Sequence, residues 1–184
     1  MAAVSIIPEK FTMVLFESDR IKELLSEVAA KVGIDKDISV EVDEASALGR
    51  ARVRSADPVE LWLQGGALED PKAPRHLSER NAREVFGRLL FRVKDRLGPD
   101  FGSPPDDDDL SLQQGTAWDA YCLGRLDRLG YEVSKSRRQY HFRNRHGFTD
   151  VGDATFERLW NADGLKWSDI EAACAETEAA RAAV

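Results

Sequence analysis

The sequence predicts an α+β protein, a mixed β-sheet with packed helices followed by a smaller helix-plus-hairpin region. Three observations carry that reading: a strand, helix, strand pattern over residues 11–43, a long amphipathic helix pattern over 78–97, and a Gly-, Pro- and Asp-rich break over 98–115. A chain of 184 residues suffices for one domain with a full core or for two small ones. The break divides it into a mixed-sheet region 1–97, a linker 98–115 and a helical and β-hairpin region 116–184. The pattern leaves open whether the two regions share one core.

Residues 11–16, FTMVLF, are nearly all apolar and rich in strand formers, as expected of a central strand covered on both faces. Ser18 then caps a helix whose Ile21, Leu24, Leu25, Val28 and Val32 fall on one face, and Gly33 follows at the left-handed C-terminal position. Residues 38–43 alternate strictly: Ile38, Val40 and Val42 on one side, Ser39, Glu41 and Asp43 on the other. Strand, helix and strand in that order predict a right-handed βαβ unit with parallel strands. Residues 50–54 set Arg50, Arg52 and Arg54 on one face, complementary in sign to Glu41 and Asp43 if the two strands pair as a hairpin. A further strand over 59–64 buries Val59, Leu61 and Leu63 and leaves Trp62 opposite, either covered by another layer or exposed as a contact.

The helix over 78–97 shows a continuous stripe of Ala82, Val85, Phe86, Leu89, Leu90, Val93 and Leu97, with a mildly basic outer face, and Gly98 and Pro99 stop it. In the linker, Asp106, Asp107, Asp108 and Asp109 lack the spaced oxygen ligands, central Gly and terminal Glu of a calcium loop and read as a solvated, self-repelling run. A helix over 116–129 carries Trp118, Cys122, Leu126 and Leu129 near one face. Residues 131–133 and 137–142 read as the two strands of a hairpin, 154–160 as a short helix, and Ser168 with Glu171 as a capping box opening the last helix. The final alanine-rich turns lack large apolar anchors, so fraying or docking on a partner is expected.

A formal charge of -7 and a pI near 5.1 argue against the whole molecule acting as a polyelectrolyte for DNA or an anionic membrane. No apolar run approaches the roughly 18 residues that span a bilayer. The first residues carry no positive region before a long apolar stretch, and Cys122 and Cys174 belong to no ligand-spaced pair. The expectation is a soluble, cytoplasmic protein with no membrane association and no cofactor.

Against that acidic background, residues 134–148 (SKSRRQYHFRNRHGF) hold Lys135, Arg137, Arg138, Arg143 and Arg145 and no carboxylate, interleaved with Tyr140, His141, Phe142 and Phe148. Arginines contact phosphates or carboxylates and aromatic rings stack, so the segment reads as a basic, aromatic binding hairpin. The candidate ligand- or partner-binding residues are Arg137, Arg138, Tyr140, His141, Arg143, Arg145 and His146. Strand alternation splits them, Arg137, His141 and Arg143 on one face, Arg138 and Tyr140 on the other. Docking of the aspartate run on the same arginines is a competing use of the charge.

Catalytic patterns are missing. His76, His141 and His146 form no HExxH, Cys122 falls on the packing face of its helix, and Gly65–Gly66 lacks the rest of a phosphate-binding fingerprint. No catalytic or metal-binding residue is assigned. The reading is a non-enzymatic binding or interaction module, its partner an unknown protein or a second copy meeting the arginine-rich helix or Trp62. The alternatives are an intracellular enzyme or degenerate metallopeptidase-like domain acting on a small anionic ligand, and a winged-helix-like nucleic-acid binder.

Overall fold

A computed structural model describes residues 3–183, so the first two residues and Val184, the end of the alanine-rich stretch, lie outside it. The protein is α+β, and it divides into two compact units, Met1–Leu97 and Gly98–Val184.

In the first unit, β1 (Val4–Ile7), α1 (Ser18–Val32) and β2 (Ile38–Asp43) form the expected parallel βαβ unit. A hairpin follows, β3 (Ala51–Ala56) and β4 (Val59–Gln64), and the sheet order is β1-β2-β4-β3 with β4 parallel to β2. A short β5–β6 ribbon (Glu69–Asp70, Ala73–Leu77) leads to α2 (Glu79–Leu97). Ile6, Ile38, Val40, Val42, Val53, Val59, Leu61 and Leu63 point to one face of the sheet and are buried. Over that face lie the apolar stripes of α1 (Ile21, Leu24, Leu25, Val28, Val32) and α2 (Ala82, Phe86, Leu89, Leu90, Val93), which pack on each other.

Residues 11–16 do not form a central strand: the strand before α1 is the short run Val4–Ile7, at the edge of the sheet beside β2, and 11–16 follow as a loop that meets β6 through an isolated bridge between Leu15 and His76. The loop's polar backbone is satisfied by a side chain. The Thr12 and Met13 N–H groups donate to Glu44 Oε2 at 2.8 and 2.6 Å, and the Thr12 hydroxyl donates to Oε1 at 3.3 Å. Phe11, Val14 and Phe16 are buried beneath it, while Met13 and Leu15 are exposed.

The arginine strand pairs with β4 rather than with β2, contrary to the hairpin that the charge pattern suggests. Register sets Ile7, Glu41, Trp62 and Arg52 in one row across the sheet. The Arg52 and Arg54 guanidinium groups lie 4.5 and 5.8 Å from the Trp62 ring centre, and Arg54 reaches over the ring to the Glu41 carboxylate. The charge complementarity is realised across an intervening strand, and the cations cover half-buried Trp62. On α2, Arg83 pairs with Glu27 of α1 at 3.3 Å, and Arg20 of α1 pairs with Glu79 at 2.6 Å, so part of the arginine-rich face is satisfied internally.

The second unit is built from four helices: α3 (Leu112–Arg128), α4 (Lys135–His146), α5 (Asp150–Asn161) and α6 (Trp167–Ala182). No strand occurs among its described residues, so the hairpin over 131–142 is replaced by α4. The physical reason lies in composition and spacing. Lys, Arg and Gln are good helix formers, and Phe142 and His146, four apart, are the two buried residues of the segment. α3 takes in residues 112–115 of the expected linker. Ser111 opens it, its Oγ accepting from the Gln114 N–H at 3.0 Å while Gln114 Oε1 accepts from the Ser111 N–H at 2.9 Å. Phe101, also in that stretch, is buried and stacked on Trp118 at 5.4 Å, with Trp167 5.2 Å from Trp118.

Asp169, not Glu171, accepts the N–H that starts α6, from Lys166 at 2.7 Å. Ile170 and Ala173 are buried ahead of the alanine-rich stretch expected to fray, and within it Thr177 is buried, while Ala175, Glu176, Glu178, Ala179 and residues 181–183 are exposed. α3 and α5 approach so closely that a Cβ on Gly124 would lie 1.9 Å from the Trp160 carbonyl oxygen. One turn on, Arg128 donates to the Trp160 and Ala162 carbonyls at 2.6 and 2.7 Å and to Asp163 at 3.0 Å, which satisfies the open end of α5. Among the described residues, no helix is long and apolar enough to cross a membrane.

Candidate functional site

Because residues 135–146 are helical, the basic segment sorts by a period of 3.6 rather than 2. Arg137, Tyr140, His141, Asn144 and Arg145 are exposed, whereas Lys135, Arg138, Arg143 and the buried Phe142 and His146 turn inward. Arg137, His141 and Arg145 follow one another at single-turn spacing, a row about 12 Å long at 1.5 Å per residue. Gly147, at φ 94°, ends the helix and turns the chain so that the Phe148 ring meets Tyr140 edge-on at 6.2 Å. These two rings are 65% and 57% exposed, an uncommon state for an aromatic pair.

The inward cations are neutralised by α5. Arg143 Nε and Nη2 donate to the two oxygens of Asp153 at 2.7 and 2.8 Å, and Lys135 Nζ meets Glu157 at 2.7 Å. The Arg143 contact holds the Asp153 carboxyl below its ordinary range and raises the guanidinium. Arg137 and Arg145, by contrast, form no ion pair among the described residues. A third such cation comes from α6: Arg181 Nη1 donates to the Arg145 carbonyl at 3.4 Å, and its aliphatic carbons lie against Gly147. No local pattern marks Arg181, since its place beside α4 is a tertiary contact.

His141 sits between Arg137 and Arg145 with its ring edge-on to Tyr140 at 6.5 Å. Partial burial and the positive charges of Arg138, Arg137 and Arg145 lower its pKa, so the neutral imidazole is favoured. His146 has left the candidate surface altogether. It is fully buried, stacked on Phe142 at 3.8 Å, with Nδ1 2.7 Å from Thr177 Oγ1 and Nε2 3.0 Å from the Gln113 carbonyl. A carbonyl only accepts, so the contact with Gln113 is made by a protonated Nε2, and Nδ1 pairs with the Thr177 oxygen. Burial lowers its pKa to about 4, which makes His146 a neutral pin joining α3, α4 and α6.

The remaining reactive side chains do not assemble. Cys122 is buried, its sulfur accepting from Arg125 at 3.5 Å, and burial with nearby Glu171 and Glu178 pushes the Cys174 thiol up to about 11. Among the described residues, no three His, Cys, Asp or Glu side chains converge on a metal-sized space.

No protein-family model matches the chain, and neither a curated protein nor a solved structure matches it.

Proposed function

We propose that the second unit is a non-enzymatic interaction module and that the exposed face of α4, with Arg181 and Phe148, receives an acidic segment of a protein partner. The observation that supports this most is the sorting of cations on one helix: Lys135 and Arg143 are satisfied by α5, while Arg137 and Arg145 stand in the solvent beside an exposed aromatic pair. Arginine and tyrosine are the residues that most often anchor protein interfaces.

The dimensions favour a short peptide over a nucleic acid. The row is about 12 Å long, and the same unit carries exposed carboxylates in Asp150, which opens α5, and in the aspartate run that precedes α3. A phosphate backbone extends well beyond so short a row, and the molecule as a whole carries -7, which repels it. Tyr140 and Phe148 are packed on each other at 70°, which offers an apolar notch for a side chain rather than a flat platform for a base.

Fluorescence anisotropy with a short labelled peptide, rich in aspartate and carrying two leucines, tests the reading. Binding is expected to weaken as salt screens the charges and to disappear in the Arg137→Glu/Arg145→Glu double variant. Tighter binding of a mixed-sequence single-stranded oligonucleotide than of the peptide overturns it in favour of nucleic acid, and binding of neither overturns it outright.

A further inference from the structure

We propose that His141 couples partner binding to proton uptake, so that the α4 face grips an acidic segment more tightly as the pH falls. The inference rests on the reading of that face as the receiver of such a segment, and it adds the residue that tunes the affinity.

The placement of the imidazole carries it. His141 occupies the middle of the row, one turn after Arg137 and one turn before Arg145, and it is exposed, so any group that bridges the two guanidinium groups passes over it. On its own helix Arg138 adds a third positive charge, and from α3 the carboxylate of Asp119 opposes them. The nearby acids of α5, Asp153 and Glu157, are engaged by Arg143 and Lys135, and the cation of α6, Arg181, lies at the Arg145 end. In the free protein cations therefore outnumber the carboxylate facing the ring, and the neutral form is favoured.

Docking of carboxylates on Arg137 and Arg145 reverses that balance. The imidazolium gains a negative neighbour, and the proton affinity of the ring rises in the complex. By linkage, binding then takes up part of a proton. The added affinity is complete below the free-state pKa and is lost as the pH rises through the higher, bound-state pKa. Aspartate side chains of the partner stay ionised above about pH 5, and the His146 transition near 4 lies below that window.

The test compares peptide affinity at about pH 5.5 and pH 8 in the full chain and in His141→Gln, with folding checked by circular dichroism. Wild-type protein is expected to bind about three- to tenfold more tightly at the lower pH. His141→Gln should lose that dependence, its affinity differing little between the two pH values. Calorimetry in two buffers of different ionisation enthalpy should show proton uptake that the variant lacks. Equal pH dependence in both proteins, or no proton uptake, overturns the role of His141 while leaving the acidic-partner reading intact. Absence of binding at both pH values overturns the acidic-partner reading and this inference with it.

Discussion

Arg143 holds both oxygens of Asp153 through Nε and Nη2, at 2.7 and 2.8 Å, and so ties α4 to α5 alongside the Lys135–Glu157 ion pair. The geometry is the parallel fork in which guanidinium and carboxylate fit best. Both side chains are about a third exposed, so the contact is partly screened and sets orientation more than stability. Asp153→Asn is expected to lower the melting temperature slightly at neutral pH. The sign with pH follows from the lowered carboxyl: the contribution is present above the unfolded-state carboxylate range and fades as pH falls through the folded value. Thermal melts of wild type and variant from neutral to acidic pH should converge at the acid end.

Gly124 is expected to be intolerant of any side chain. A Cβ there meets the Trp160 carbonyl oxygen at 1.9 Å, and that oxygen is also held by Arg128. Gly124→Ala forces α3 and α5 apart and should cost about 3 kcal/mol or more, against under about 0.5 kcal/mol for Gly49→Ala, where nothing lies within 4 Å. Urea denaturation of the two variants checks the contrast.

His146 predicts acid sensitivity of a different origin. Its folded-state pKa of about 4 lies below the ordinary value of 6.5, so between these values the unfolded chain binds more protons. The stability that the neutral ring contributes is complete above the unfolded value and is lost as pH falls to and below 4, by about 3 kcal/mol in all. His146→Leu should be less stable at neutral pH, because Thr177 and Gln113 lose their partner, yet flatter across the acid range. Imidazole NMR titration gives the pKa directly, and a value near 6.5 would refute the assignment.

Glu44 acts as a staple for the loop between β1 and α1. Its carboxyl is held below its ordinary range, first by the Met13 N–H and then by Thr12 and Val14. Glu44→Ala should speed amide exchange at Thr12 and Met13 while leaving the sheet amides of β2 and β4 protected. Uniform loss of protection would mean that the contact supports the whole unit instead.

How much of this was legible in the sequence differs element by element. α1, β2, β4 and α2 announced themselves because their apolar residues recur at one period over several turns or alternations, for instance Ile38, Val40 and Val42. α4 did not. Strand alternation pairs Tyr140 with Phe142, while the helical pair is Phe142 and His146, and a histidine reads as polar until its buried partners are seen. The Ser111 to Gln114 capping box, by contrast, was a local signal open to sequence reading.

The candidate face shows the same division. The concentration of charge and aromatic side chains near residue 140 was readable, but the separation of Arg137 and Arg145 from Lys135 and Arg143 was not. It depends on carboxylates of the next helix, Asp153 and Glu157, whose positions follow from packing. Strand periodicity put Arg143 beside His141, and helical geometry turns it to α5 instead.

The covering of Trp62 by Arg52 and Arg54 has an optical consequence. Of the four tryptophans, Trp62 alone belongs to the first unit, half-buried under two guanidinium groups, while Trp118, Trp160 and Trp167 are buried in the second. Loss of structure in the second unit shifts three emitters from an apolar to an aqueous setting and moves the fluorescence maximum to the red. Melting of the first unit changes one emitter that already touches water. The chain carries an intrinsic spectroscopic reporter of which half lets go first.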